Sequence, residues 1–361
     1  MGVVEFPGLW GLKFTIDRVA FKVFGIPVYW YGIIIAAGFL LAVLLAIRNS
    51  ARFGLEPDNI IDMVLYAAPV AIVTSRLYYV IFSWDRFRGN LISILDTRQG
   101  GLAIYGAVIG AVSVAYIFAK KKKIGALKLF DFCMPYFILA QAIGRWGNFV
   151  NQEAYGTNTT LPWGMTGDVI KRDLLNNIER LENMGVSVDP NLPVHPTFLY
   201  ESLWNLCVFL FLIWFRKRKK LDGEVFFMYM VLYGAGRFWI EGLRTDSLML
   251  GNLRVSQVLA ALCAVAFAIT MTIRRKKAAE AVEDAEAGTS IYGDILKELN
   301  EEEESAAEDG AAALNAGKAA VAEELEPLCG AEEKTLKESD DAKENAAVAG
   351  DGMINAENTE G

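Results

Sequence analysis

The sequence predicts an all-α integral membrane protein with seven transmembrane helices and a disordered acidic C-terminal tail. The 361-residue chain is 53% hydrophobic. Residues 1–277 contain several apolar runs of about 20 residues, the length that crosses the hydrocarbon core of a bilayer as a helix. The formal net charge of −8 is the sum of two opposite values: residues 1–277 carry +11 and residues 278–361 carry −19. The acidic balance therefore belongs to the tail alone.

Seven apolar runs give the predicted helices. They lie at residues 28–48, 60–82, 103–119, 129–147, 198–215, 224–241 and 254–273. The four strongest basic clusters then fall on one side of the membrane: Arg48 with Arg52, "KKKK" at 120–123, "RKRKK" at 216–220 and "RRKK" at 274–277. Because Lys and Arg are enriched in cytoplasmic loops, we expect the N-terminus outside and the C-terminus in the cytoplasm. The loop at about 148–197 becomes the largest extracytoplasmic element.

Two further segments flank these helices. Residues 12–32 alternate polar and apolar side chains around Gly25 and Pro27, which predicts a short hairpin or an interfacial segment. No removable signal peptide is predicted. Residues 278–361 hold too few apolar side chains to offset the entropy lost on ordering, so we predict disorder with at most one short helix at 291–299. The predicted domains are a seven-helix membrane catalytic domain, 1–277, and this tail.

Cysteine and histidine usage narrows the chemistry. The four cysteines are too few and too scattered for a disulfide framework, and His195 is the only histidine. A single histidine excludes most zinc sites, so neither a metal nor another cofactor is predicted. The partners expected are a lipid bilayer and the substrates described below, with no nucleic acid.

Polar residues interrupt the sixth predicted helix. Tyr233, Arg237, Glu241 and Arg244 recur at intervals of four, four and three, so they share one helix face. Ionisable groups in spanning helices usually face the bundle interior or a wet cavity and mark a functional site. Two alternatives remain: a purely structural Arg237–Glu241 pair, and an Arg244 that extends to the membrane interface.

A second polar stripe follows the fourth helix, in "GRWGNFVNQEAYG" at 144–156. Arg145 and Asn148 can share a helix face, and Glu153 and Gly156 lie beyond the expected break. Broken backbone at membrane depth needs protein or water around it, so this stretch is expected to line a cavity. Guanidinium groups bind phosphate oxygens in a bidentate manner, which suits a phosphate-bearing lipid.

Other polar residues open neighbouring helices. Tyr105 opens the third, and His195 precedes the fifth, with Tyr200 and Glu201 one turn inside it. We expect these residues to point into the same cavity. Arg76, within the second helix, is as compatible with a structural role as with a functional one.

The sequence resembles the bacterial prolipoprotein diacylglyceryl transferases over roughly residues 10–275. The resemblance is carried by five motifs in the family's order: "YWYG" at 29–32, "GGLAIYGAVIG" at 100–110, "GRWGNFVNQEAYG" at 144–156, "HPTFLYE" at 195–201 and "YGAGRFWIEGLR" at 233–244. It implies transfer of the diacylglyceryl group of phosphatidylglycerol to the lipobox cysteine thiol of a prolipoprotein signal peptide, with release of glycerol phosphate.

The resemblance also implies roles for individual residues. Arg145 and Arg237 would hold the phosphate, supported by Asn148 and Tyr31, while Glu153 and Glu241 would orient the arginines or a glycerol hydroxyl. Substrate contacts are further expected of Tyr233, Gly156 and His195.

One position departs from the family, because Tyr105 stands where many members carry a histidine cast as the base for the thiol. A tyrosine of pKa about 10 is a poor base near neutrality. We therefore expect Tyr105 to position substrate and no dedicated base to be essential, with Glu241 and His195 as alternatives. Two other classes compete: a secondary transporter, which predicts repeated halves that the sequence lacks, and a scaffold acting through its tail, which leaves the polar stripes unexplained.

Overall fold

The computed structural model describes residues 2–96, 100–245, 249–250 and 253–309. Within these residues the chain forms eight α-helices: α1 (Trp30–Ser50), α2 (Pro57–Phe82), α3 (Ile104–Lys121), α4 (Ala126–Asn151), α5 (Asp168–Asn183), α6 (Thr197–Phe215), α7 (Glu224–Leu243) and α8 (Val255–Asp309). The strands are short: β1 (Gly2–Phe6), β2 (Leu12–Ile16), β3 (Val19–Val23), β4 (Ile26–Tyr29), β5 (Thr166–Gly167), β6 (Met249–Leu250) and β7 (Leu253–Arg254).

Six of these helices are long and apolar enough to cross a membrane. They are α1 with the turn after it, α2, α3, α4, α6 and the part of α8 from Val255 to Asp284. This confirms the prediction of a helical, multi-pass membrane protein. The sixth predicted crossing is present as α7, a helix of 20 residues. It is not among the six apolar helices because Glu224, Arg237 and Glu241 lower its hydropathy, so seven crossings stay a prediction.

Helix α4 lies at the centre of the membrane region and packs against α1, α6 and α7, while α3 packs along α2. The α2–α3 contact depends on small residues. A Cβ atom added at Gly106 would lie 2.3 Å from the carbonyl oxygen of Thr74. Gly110, one turn on, faces the side chain of the same threonine. The spacing of these glycines therefore lets the two backbones approach closely.

The loop expected at 148–197 contains more regular structure than predicted. Strand β5 joins β1, which also pairs with β2, to give an antiparallel sheet in the order β2-β1-β5. Helix α5 buries Ile170 and Leu174 against Val4, Met165 and Val194. The apolar residues of α5 recur at helical spacing. The helix is polar overall, so its sequence does not resemble that of a spanning helix.

The N-terminal segment forms the hairpin that the sequence offers as one of two alternatives. Strands β3 and β4 pair antiparallel across the turn Phe24-Gly25. Both turn residues have positive φ, 51° and 82°, as a tight turn between twisted strands requires. The hairpin leads directly into α1 at Trp30.

The prediction for the tail differs from the structure over residues 278–309. The chain divides into two units at Lys277 and Ala278, and α8 continues through 278–309 as helix instead of the single short helix predicted. Ala, Glu and Lys are strong helix formers, so a helix here does not depend on a buried face. Residues 310–361 lie outside the described residues, and their disorder stays a prediction.

Candidate active site

Glu201 lies at the centre of a cluster of charged side chains. Its carboxylate, on α6, is bound by three arginines: Arg145 Nη2 lies 2.6 Å from Oε2, and Arg237 Nη1 and Arg244 Nη1 lie 2.9 and 3.1 Å from Oε1. Glu201 is 4% exposed. Because Arg145 belongs to α4 and Arg237 to α7, three helices meet on one buried carboxylate.

The polar stripe of α7 faces this cluster. Arg237 bridges two carboxylates, since its Nη2 also lies 2.5 Å from Glu241 Oε2. Glu241 is buried and belongs to the next turn of the same helix. Arg244 points inward to Glu201 instead of extending to the membrane interface. The Arg237–Glu241 pair is therefore part of a larger network and not an isolated structural pair.

Arg254, next to the start of α8, closes the cluster at the C-terminal end of α7. Its Nη1 donates to the backbone carbonyls of Glu241 and, at 2.8 Å, of Arg244. A cation at this position complements the partial negative charge of a helix C-terminus. The sequence gives little signal for Arg254, which lies outside the five motifs.

Glu153 lies just beyond the end of α4 and contacts two asparagines in the last turn of that helix. The side-chain amides of Asn148 and Asn151 donate to its Oε1 at 3.0 and 3.2 Å. Helix α4 runs four residues further than predicted, so that Asn148 is helical and Glu153 follows a left-handed Gln152 at the helix end. Because the helix ends at this point, the side chain of Glu153 lies against the last turn of α4.

Tyr31 connects this group with a cavity. Its ring packs on α4, where a Cβ added at Gly147 would lie 2.8 Å from Tyr31 Cδ2. The phenol interacts electrostatically with Glu153 and Arg145. Tyr31 also lines a cavity of about 660 Å³ between the β3–β4 hairpin, the start of α1 and the end of α4, together with Arg18, Val28, Tyr29, Gly32, Ile33, Ala36 and Asn151.

Gly156 and His195 form a backbone junction beside the cluster. The Gly156 amide donates to the His195 carbonyl at 2.9 Å, and the His195 amide donates to Thr157 at 3.0 Å. Thr157 in turn donates to Leu243 at the end of α7. A Cβ added at Gly156 would lie 2.8 Å from His195 Cβ. Gly156 is therefore a packing position, and its contact with substrate stays a prediction.

The His195 side chain has a polar partner of its own. Its Nδ1 lies 3.1 Å from the hydroxyl of Tyr200, which accepts a hydrogen bond from Trp163 Nε1 at 2.8 Å. Burial lowers the pKa of His195 below its ordinary value, so the neutral imidazole is favoured. The Tyr200 hydroxyl can then donate its proton to Nδ1.

Three residues singled out in the sequence have described contacts outside the Glu201 cluster. Tyr105 is half exposed, and its ring is 6.1 Å from that of Tyr78 on α2. Tyr233 stacks on Tyr229, one turn before Arg237 on α7. Arg76 donates five hydrogen bonds to backbone carbonyls between residues 93 and 101, which gives it a structural role. The substrate roles of Tyr105 and Tyr233 stay predictions.

Glu201 occupies a more central position in the structure than the sequence indicates. The sequence places it one turn inside the fifth predicted helix and gives it no role of its own. Its signal is a carboxylate in an otherwise apolar helix, which is costly to bury unless cations pair with it. The two polar stripes hold more arginines than carboxylates, and this excess points to a further acidic partner.

Similarity to known proteins identifies the family of this chain. The family model for prolipoprotein diacylglyceryl transferase matches residues 18–273. The phosphatidylglycerol–prolipoprotein diacylglyceryl transferase of Finegoldia magna is 47% identical over 262 residues, which is 72% of this chain and 96% of that protein. Those of Clostridioides difficile and Bacillus cereus (strain Q1) are each 46% identical, over 67% and 72% of this chain and 89% and 93% of their own lengths. The chain belongs to the prolipoprotein diacylglyceryl transferase family.

Proposed function

We propose that this protein transfers the diacylglyceryl group of phosphatidylglycerol to the lipobox cysteine of prolipoprotein signal peptides, with release of glycerol phosphate. Identity of 45–47% over most of the chain to proteins named for this activity supports the proposal. The observation that carries it is the cluster of Arg145, Arg237 and Arg244 around Glu201.

The charges of the cluster suit the reaction. The cysteine sulfur forms a bond to a glycerol carbon, and the bond from that carbon to the phosphate oxygen breaks with its electron pair on the oxygen. The phosphate changes from a diester of charge −1 to a monoester close to −2. Preorganised donors aimed at such developing charge usually contribute more to catalysis than any other single effect. We assign that role to Arg145 and Arg237.

The nucleophile belongs to the substrate peptide. A thiol of pKa about 8.5 is already a few per cent thiolate near neutrality, and nearby arginines favour the charged form. The thiol proton is then lost to water before the attack. Tyr105 positions substrate in this scheme, and Glu153 with Asn148 and Tyr31 orients the headgroup.

The orientation in the membrane is part of the proposal. Helix α7 has the length of a crossing, and its charged side chains Arg237 and Glu241 contact Glu201 and one another. Counted as a span, it gives seven crossings, with the basic clusters on the cytoplasmic side. The active site then faces the extracytoplasmic leaflet of the bacterial plasma membrane.

A transfer assay tests the function. Purified protein in detergent is mixed with phosphatidylglycerol and a lipobox peptide, and the peptide is weighed by mass spectrometry. We expect a diacylglyceryl mass increment that disappears when the peptide cysteine is replaced by serine. A peptide of unchanged mass, under conditions where the Finegoldia magna relative is active, would contradict the proposal.

A further inference from the structure

Glu201 lies behind the arginines that it binds. Its side chain is 5% exposed, whereas those of Arg145 and Arg237 are 23% and 20% exposed. A phosphate that approaches from the open side of the cluster therefore meets the guanidinium groups before it meets the carboxylate. Glu201 can hold the arginines while they bind another anion.

The arginines keep donors for such an anion. Each guanidinium carries five N–H donors in a fixed fork. Among the described contacts, Arg145 uses Nη2 alone, on Glu201, and Arg237 uses Nη1 on Glu201 and Nη2 on Glu241. The Nε and Nη1 groups of Arg145 and the Nε group of Arg237 thus remain available. The shared carboxylate fixes the directions in which they point.

The charge of Glu201 also limits how strongly the cluster attracts phosphate. Glu201 contributes one negative charge to the cluster and contacts three arginines directly. A neutral residue at position 201 would make the net charge of the cluster more positive by one. The phosphodiester substrate carries −1 and the glycerol phosphate product close to −2 near neutral pH. The carboxylate therefore weakens binding of the product more than binding of the substrate.

We propose that Glu201 is a positioning residue with two effects: it holds Arg145 and Arg237 in place for the phosphate, and its negative charge lets the glycerol phosphate product leave. This inference rests on the proposed transfer reaction. It assigns Glu201 a role in product release that is separable from its contribution to folding.

The test compares product inhibition in the full-length enzyme and its Glu201→Gln variant. Glutamine keeps an acceptor oxygen for one arginine but removes the charge. We expect the inhibition constant for added glycerol phosphate to fall by about tenfold, as for the loss of a like charge a few ångströms away. The KM for phosphatidylglycerol should fall less, and kcat should fall because the product leaves slowly.

Two variants serve as controls. Glu224→Gln alters another buried carboxylate, which pairs with Arg275 at 2.6 Å at the other end of α7, and should leave the inhibition constant unchanged. Glu201→Asp keeps the charge on a shorter side chain, so the inhibition constant should stay at the wild-type value while kcat falls. This variant also decides the question if Glu201→Gln does not fold.

The outcomes separate this inference from the proposed function. An unchanged or higher inhibition constant in folded Glu201→Gln, or a tenfold lower one in Glu201→Asp, would overturn the role of the charge. Either result, obtained with an active wild-type enzyme, leaves the transfer reaction intact. Absence of transfer by the wild type would remove the proposed function itself.

Discussion

At the scale of single residues, the cluster depends on the shape of the guanidinium group. Arg237 contacts Glu201 through one terminal nitrogen and Glu241 through the other. A lysine ammonium is a compact charge on a flexible chain and cannot reproduce this planar fork. We therefore expect that charge alone is not sufficient at this position.

The first prediction concerns Arg237→Lys. We expect kcat/KM for transfer to fall by about 100-fold or more, the usual cost of losing one preorganised donor. The transfer assay measures this, with Arg275→Lys as the matched control, because Arg275 pairs with a buried glutamate far along α7 from the cluster. Nearly full activity in Arg237→Lys would mean that only the positive charge matters.

The second prediction concerns Tyr105→Phe. Loss of the hydroxyl should lower activity modestly and leave the shape of the pH–rate profile unchanged, because a phenol is in general a poor base near neutrality. The measurement is the transfer rate between neutral and alkaline pH. If activity instead collapsed at neutral pH and returned at high pH, Tyr105 would be the base for the thiol.

At the scale of helices, close packing replaces the hydrophobic driving force that lipid cannot provide. Helices α2 and α3 approach at Gly106, where the nearest atom is a backbone carbonyl oxygen that cannot rotate away. Helix α7 is held at its start by Asp131 of α4, whose carboxylate accepts bonds from the amides of Gly223 and Phe226. Lys219 pairs with the same carboxylate at 2.9 Å.

The third prediction therefore concerns Gly106→Ala. The added methyl group forces the α2 and α3 backbones apart, so we expect a loss of about 1–3 kcal/mol of stability. Thermal unfolding in detergent measures it. Gly144→Ala is the matched control: that glycine lies in α4 with open space around its Cβ position, and alanine favours the helix by up to about 1 kcal/mol. Equal midpoints for the two variants would contradict the packing argument.

Helices α1 to α4, α6 and α7 could be predicted to within a few residues at each end, because each is a largely apolar run bounded by polar residues. The start of α8 could be predicted too, but the helix continues well past its predicted end, through Ala, Glu and Lys residues that favour helix without a buried face. The site could be predicted only in part. Arg145, Arg237 and Glu241 stand out in the sequence because charge in lipid is costly. Arg254 and the backbone junction at Gly156 depend on which helix ends meet, and this information is not contained in the periodicity of any one segment. Helix α5 is not among the predicted helices because it is polar overall and only one narrow face of it is apolar.

At the scale of the whole molecule, charge divides the chain. Basic clusters border the apolar helices, and the excess of acidic over basic residues lies after Lys277. Positive loops are retained on the cytoplasmic side during insertion. The tail should therefore lie in the cytoplasm, opposite the proposed active site.

The fourth prediction tests this topology through Cys329, which lies in the tail. A membrane-impermeant maleimide should leave Cys329 unmodified in intact spheroplasts and modify it after the membrane is permeabilised, as read by mass spectrometry. Glu182→Cys, at an exposed position of α5, provides the control that should react from outside. Reaction of Cys329 in intact spheroplasts would contradict the predicted orientation and place the tail outside the cell.

The contacts of Glu201 make distant parts of the sequence energetically dependent on one another. Residues 145, 201 and 237 belong to three separate motifs, yet the same carboxylate satisfies both arginines. Substitutions that share a partner are not additive. Removing Arg145 and Arg237 together should cost less than the sum of the two single losses, and a double-mutant cycle would report the coupling directly. We expect the three motifs to respond to substitution as one thermodynamic unit.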